Sequence, residues 1–299
     1  MLIHTIDLDF EGLHEAIAAF LVESGETRIL IETGPESTRE TLVGKLAALG
    51  CNPAELDAVF VTHIHLDHAG AAGWFADLGI PLYAHPKAVR HLVEPSRLIG
   101  SARTVYGDQF DDLWGEMIPA PQESTHAIQP GAIQTVGELS IEAIETPGHA
   151  FHHYAYALGN NCFAGDAAGA RIGGSDFISV TSAPPQFHLA HTLNSIDLLR
   201  SRGFDAVYLT HFGAVTSPKQ HLSDYREAVE LNAEFIRQRL EEQMDPESLK
   251  IAYQAFCMEQ AFRVETAREI WEILQRVNST DMCADGIRLF WEKLRTEET

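Results

Sequence analysis

The chain is poor in cysteine. Its 299 residues include four, Cys51, Cys162, Cys257 and Cys283. None is spaced C-x-x-C and they form no dense framework, which excludes a zinc ribbon and a disulfide scaffold. Free thiols in a reducing cytosol are the expectation, and with them a cytoplasmic location. Basic residues are also scarce: 21 Lys and Arg face 43 Asp and Glu, a formal net charge of −22. Such a surface repels phosphate backbones and anionic membranes, so neither nucleic acid nor membrane is expected as a partner. No stretch of 18 apolar residues occurs, so no membrane-spanning helix is expected. The opening MLIHTIDLDFEG lacks a basic segment followed by an apolar one, so no signal peptide is expected.

What is present suits a folded globular chain. Hydrophobic residues make up 45%, enough for a large core. Strands are predicted at 17–23 and 28–32 around a turn, at 58–62 and at 81–84, and a helix over 38–49 that Gly50 stops. A second set of strands follows at 133–136, 139–145, 153–158, 161–164 and 205–209. A helix over 190–202 precedes the last of them. Alternating apolar strands and helices indicate a layered α/β (α+β) core. Residues 86–125 interrupt it with helical spacing and read as a cap insertion. From 218 to the end almost all is helical, broken at Asp245-Pro246-Glu247. The expected domains are 1–217, catalytic and including the cap, and 218–299, helical.

The chemistry concentrates in Thr62-His63-Ile64-His65-Leu66-Asp67-His68, directly after an apolar strand. His63 and His65 are two apart, so on extended backbone they point the same way. Asp67 and His68 begin the next turn and can reach a neighbouring position. One metal rarely takes four ligands from so short a stretch, and two metals sharing them is the natural geometry. Imidazole suits zinc or iron, and a carboxylate can bridge two ions. Three later strand ends each supply one further ligand type beside a glycine: Thr146-Pro147-Gly148-His149, Phe163-Ala164-Gly165-Asp166 and Leu209-Thr210-His211-Phe212-Gly213.

This order, HxHxDH, PGH, GD and a late TH, resembles the metallo-β-lactamase superfamily over roughly residues 2–215. The resemblance implies an αββα sandwich, two sheets face to face with helices outside. It implies that His63, His65 and His149 hold one metal, that Asp67, His68 and His211 hold a second, and that Asp166 bridges them. The cofactors implied are two divalent ions, zinc first, with iron or manganese as alternatives. A hydroxide between the ions would be the nucleophile. Asp67 beside it would be the catalytic residue, orienting it and then carrying a proton to the leaving group. Glu32 stands where the family usually has aspartate. It is expected to orient ligand histidines by hydrogen bonds.

The implied activity is hydrolysis of a small-molecule ester, thioester or lactone. The HxHxDH motif resembles the glyoxalase II-like and lactonase-like branches. The rival reading is a mononuclear iron oxidoreductase resembling the sulfur dioxygenases. A nuclease is disfavoured by the charge. In the cap, Tyr106, Phe110 and Trp114 read either as an apolar substrate wall, with Arg97 or Arg103 meeting a carboxylate, or as a packing stripe. One of His152 and His153 could line the pocket, since successive strand residues face opposite ways. His188 and His191 read as an ordinary loop-and-helix pair. The C-terminal helices offer a surface for a homo-oligomer contact.

Overall fold

A computed structural model describes residues 1–297. The last two residues of the expected helical domain, 298 and 299, lie outside it. Two six-stranded mixed sheets form the centre. The first runs in chain order: β1 (Leu2–Asp7), β2 (Ala18–Ser24), β3 (Thr27–Ile31), β4 (Ala58–Phe60), β5 (Leu82–Ala84) and β6 (Thr125–Ala127). The second reverses that order. It contains β7 (Ile133–Val136), β8 (Leu139–Glu145), β9 (Tyr154–Leu158), β10 (Asn161–Phe163), β11 (Ala206–Leu209) and β12 (Gly213–Val215).

Side-chain alternation along the strands builds the layers. Phe20, Val22, Ile29, Ile31 and Phe60 of the first sheet meet Ile141, Tyr154, Tyr156 and Phe163 of the second. The residues between them, Leu21, Leu30 and Val59, face a separate cluster under the outer helices. Those helices include α1 (Arg39–Ala48), α2 (Leu66–Ala69), α3 (Ala72–Asp77) and the cap helices α4 (Pro86–Val93), α5 (Ser96–Tyr106) and α6 (Phe110–Trp114). On the far side, Ala155, Cys162 and Val207 pack against α7 (Leu189–Ser201) and α8 (Pro218–Glu241). The result is the αββα sandwich.

Four strands depart from the expectation. β1, β6 and β12 were not legible: all three are sheet-edge strands with exposed positions. β4 ends at Phe60, two residues earlier than predicted, which leaves Thr62 and His63 in a loop. Beyond α8 follow α9 (Pro246–Arg263), α10 (Arg268–Val277) and α11 (Thr280–Glu297). Asp245 caps α9 by accepting from the Ser248 N–H, and Pro246 opens it. This helical extension shares a core with Ile172 and Phe187 from the loops after β10. The approach is close: a Cβ on Gly286 of α11 would stand 1.8 Å from the Ser182 carbonyl oxygen. All four cysteines are buried and unpaired. No helix among the described residues is long and apolar enough to cross a membrane.

Candidate metal centre

β3, β4, β5 and β6 run parallel, and β8, β10 and β11 also share a direction. Their carboxyl ends therefore gather loops at one edge of each sheet. Glu32 follows β3, His63 to His68 follow β4, His149 follows β8, Asp166 follows β10 and His211 follows β11. The two sheets are stitched together there. The Tyr154 N–H donates to the Thr62 carbonyl at 2.8 Å, and the Ala18 N–H to that of Thr210 at 2.8 Å. The Tyr156 hydroxyl, buried between the sheets, donates to the Val61 carbonyl at 3.0 Å. Glu32 and Thr210, 178 positions apart in sequence, are thus held within hydrogen-bond reach.

All seven sequence-predicted residues converge in two clusters. In the first, His65 Nδ1 lies 2.9 Å from both His63 Nε2 and His149 Nε2. In the second, Asp67 Oδ2 lies 3.2 Å from His211 Nε2 and 3.6 Å from His68 Nε2. Asp166 reaches both. Its Oδ2 is 3.3 Å from His149 Nε2, and its Oδ1 is 3.4 Å from His68 Nε2 and 3.6 Å from His211 Nε2. The ligand-type atoms of each triad lie within 4.8 Å of one another.

The outward nitrogens decide what the inward ones present. His149 Nδ1 is 3.0 Å from the Thr181 carbonyl oxygen, and His211 Nδ1 is 2.9 Å from that of Ala16. A carbonyl only accepts, so both Nδ1 atoms carry the proton and both Nε2 atoms offer a lone pair. His68 Nδ1 donates likewise to Glu32 Oε1 at 3.0 Å. Thr62 donates its hydroxyl proton to Glu32 Oε1 at 2.5 Å, so it accepts from His63 Nδ1 at 3.1 Å. Four ring lone pairs therefore point inward, toward one another and toward two carboxylates. The His65 ring meets those of His63 and His149, but His68 Nε2 and Asp166 Oδ1 are buried without a hydrogen-bond partner. Buried lone pairs facing buried carboxylates call for cations. Two clusters of His and Asp donors fit divalent ions, and an outer N–H on carbonyl or carboxylate is the support that ligand histidines use.

The electrostatics agree. Burial, followed by the ring of His149, pushes His65 down to about 3. Burial and the surrounding rings hold His63 well below the usual imidazole range. Burial opposes ionisation of Asp67, but His68 and His211 bring it down to about 2. Against burial, Asp67, Glu32 and Asp166 raise His68 well above the usual range. Burial thus holds His63 and His65 neutral, while the carboxylates around His68 favour positive charge there.

Several supporting groups carried weaker signals in the sequence. Glu32 accepts from the Thr62 N–H and hydroxyl, from His68 and from the Thr210 hydroxyl. The clue is the threonine that precedes the histidine in both Thr62-His63 and Thr210-His211. His153 is fully committed. Its Nε2 accepts from the Asp166 N–H at 3.1 Å, and its Nδ1 pairs with the Thr146 hydroxyl at 2.8 Å. His152 is the one with an unpartnered Nδ1, its ring 6.1 Å from that of His65. Phe110 is fully buried in the core and so packs and forms no substrate wall, while Arg103, the candidate partner of a substrate carboxylate, pairs with Asp111 at 2.6 Å. His188 caps α7, its ring 4.1 Å from that of His191.

Comparison with known proteins points the same way. A family model described as the metallo-beta-lactamase superfamily matches residues 14–211. Probable metallo-hydrolase YybB of Bacillus subtilis is 25% identical over 164 residues, 51% of this chain and 63% of that protein. That match spans less than two thirds of the relative's length. The metallo-beta-lactamase fold-containing protein ST1585 of Sulfurisphaera tokodaii is 24% identical over 197 residues, 60% of this chain and 71% of that one. Its crystal structure superposes with a TM-score of 0.69 at 19% identity, covering 96% of this chain and 98% of that chain. The family protein TTHA1429 of Thermus thermophilus gives 0.66 at 19% identity, covering 99% of this chain and 94% of that one. By its family match, its sandwich and its two His/Asp clusters, the chain belongs to the metallo-beta-lactamase superfamily.

Proposed function

We propose that the protein is a dinuclear metal-dependent hydrolase of a small ester, thioester or lactone. The observation that carries this reading is Asp166, whose two carboxylate oxygens face different clusters. His63, His65 and His149 would hold one ion, Asp67, His68 and His211 the other, and Asp166 would stand between them. Bound divalent ions would supply an activated water and polarise an acyl oxygen. Zinc suits five imidazoles and two carboxylates, with iron or manganese as the alternatives. Asp67 is the more accessible carboxylate, its side chain 17% exposed against 6% for Asp166. It can orient a water at the open side and pass a proton to the leaving oxygen or sulfur.

Within the superfamily, the full HxHxDH motif supports the glyoxalase II-like and lactonase-like branches. Four unpaired cysteines support a cytoplasmic location. Residues 1–217 are proposed as the catalytic unit and 218–299 as a helical one. Ile251, Met258 and Phe262 are exposed on α9 and support a homo-oligomer contact there.

The test is a panel of one aryl ester, one acyl thioester and one acyl-homoserine lactone with zinc-loaded protein at neutral pH. At least one class is expected to turn over, with the rate lost after dialysis against a chelator and restored by zinc. No turnover of any class, together with oxygen uptake on a thiol substrate, would overturn the reading.

A further inference from the structure

All seven candidate ligands lie between residues 63 and 211, yet the support behind two of them leads out of that span. Thr181, in the loop after β10, reaches both. Its carbonyl accepts from His149 Nδ1 at 3.0 Å, and its hydroxyl donates to the Asp166 carbonyl at 2.7 Å. A carbonyl or hydroxyl fixes a ligand only as well as its own segment is fixed. A bridge to Ala170 pairs Ser179. The other anchors of residues 179–182 among the described residues come from the C-terminal helical unit.

Asn278 ends α10, its backbone N–H donating to the Leu274 carbonyl at 2.8 Å. Its buried side-chain amide donates to Ser179 Oγ at 2.9 Å and to the Val180 carbonyl at 3.0 Å. The Cys283 sulfur, on α11, lies 3.1 Å from the same carbonyl and 3.2 Å from Asn278 Oδ1. The Ser182 hydroxyl donates to the Cys283 carbonyl at 3.0 Å. From α8, the fully buried Tyr225 places its hydroxyl 3.0 Å from Thr181 Oγ1. Thr181 gives its own proton to Asp166, so Tyr225 is the donor here. The Tyr225 ring also fits against Gly169, where a Cβ would stand 2.5 Å from Cε2. Ending a helix needs no amide. Asn278 supplies two N–H groups to Ser179 and Val180 and an oxygen to Cys283, and a buried network satisfied in this way specifies one arrangement.

We propose that Asn278 and Tyr225 are positioning residues of the metal centre. Acting through Thr181, they fix the His149 ring and the Asp166 loop. The C-terminal helical unit thereby sets how tightly the centre holds its ions. This rests on the two-ion reading above and on no particular substrate class. The hydrogen bonds of both side chains end on residues 179–181 and Cys283, one step behind the ligands. They act as outer supports of ligand groups act, by limiting the orientations that the ring and the carboxylate can take.

The experiment titrates the full chain with zinc against a chromophoric chelator, as wild type, Asn278→Ala, Tyr225→Phe and Leu274→Ala. The denaturant midpoint of each metal-free protein is measured beside it. Leu274→Ala removes packing from the core of the same helical unit and leaves the Asn278 amide in place. Tyr225→Phe keeps the ring, so it decides the matter if Asn278→Ala does not fold. Affinity for at least one ion is expected to fall about 5- to 10-fold in Asn278→Ala and in Tyr225→Phe, no more than the low end for losing an outer partner of a ligand histidine, because the support acts through Thr181. Leu274→Ala is expected to lower the midpoint at least as far and to keep wild-type affinity. Wild-type zinc affinity in Tyr225→Phe, or in a folded Asn278→Ala, would overturn the proposal. So would an equal loss of affinity in Leu274→Ala, because that marks general destabilisation. A wild type that binds no zinc, or a single ion, would instead overturn the two-ion reading, before any variant is compared.

Discussion

Changing Asp166 to alanine is expected to remove metal and activity together. Asp166 is the one carboxylate whose two oxygens address different clusters, with His149 on one side and His68 and His211 on the other. Its position is held by others: the His153 ring accepts from its backbone N–H, and the Thr181 hydroxyl donates to its carbonyl at 2.7 Å. Truncating the side chain leaves that loop intact and takes away the charge that faces three imidazoles. Five histidines and one aspartate would remain for two divalent ions. The expected loss in kcat/KM is at least about 10³-fold, the upper end of what one electrostatic group contributes to a transition state. Elemental analysis should find fewer than two ions per chain. A variant that keeps both ions and turns over within tenfold of wild type would remove Asp166 from the centre.

Glu32 should show the second largest effect, split between two variants. Its carboxylate is fully buried and accepts four hydrogen bonds, two from Thr62, one from His68 and one from Thr210. Glu32→Ala leaves those donors facing a cavity, at about 1–3 kcal/mol for each buried donor that water does not reach. A loss of roughly 3–5 kcal/mol is expected, as when one member of a buried pair is removed, read from the denaturant midpoint of the metal-free protein. Glu32→Gln keeps the volume and an acceptor oxygen but removes the charge opposite His68. Stability should fall less, and affinity for the second ion should fall about 10- to 100-fold, the usual cost of losing an outer partner of a ligand histidine. Native metal affinity in Glu32→Gln would mean that Glu32 only packs.

The centre was legible because its chemistry is local. Thr62 to His68 hold four candidate ligand residues in seven positions, and each remaining one follows an apolar strand beside glycine. The central strands were legible for a related reason. β2, β3 and β9 are buried on both faces, so they read as apolar runs that only strands of that length explain. β1, β6 and β12 fail that test, because each lies at a sheet edge with exposed positions that break its apolar run. Support for the histidines was partly hidden because much of it is backbone. The carbonyls of Ala16 and Thr181 set two tautomers, and any residue type supplies a carbonyl. The pair His152 and His153 shows the same limit. Alternation says that they differ, but only the fold shows that His153 faces the Asp166 loop while His152 keeps a free nitrogen. In the cap, helical spacing could not separate Phe110, which is fully buried, from Tyr106, which is only partly buried against the same cluster.

Whether this chain builds two metal positions is tested most directly by its metal content. Protein purified without added metal, as wild type and as His68→Ala, would be taken to elemental analysis. About two divalent ions per wild-type chain and about one in the variant are expected, since His68 serves the cluster of Asp67 and His211. A single iron per chain, unchanged by His68→Ala, would contradict a dinuclear centre and point to a mononuclear oxidoreductase.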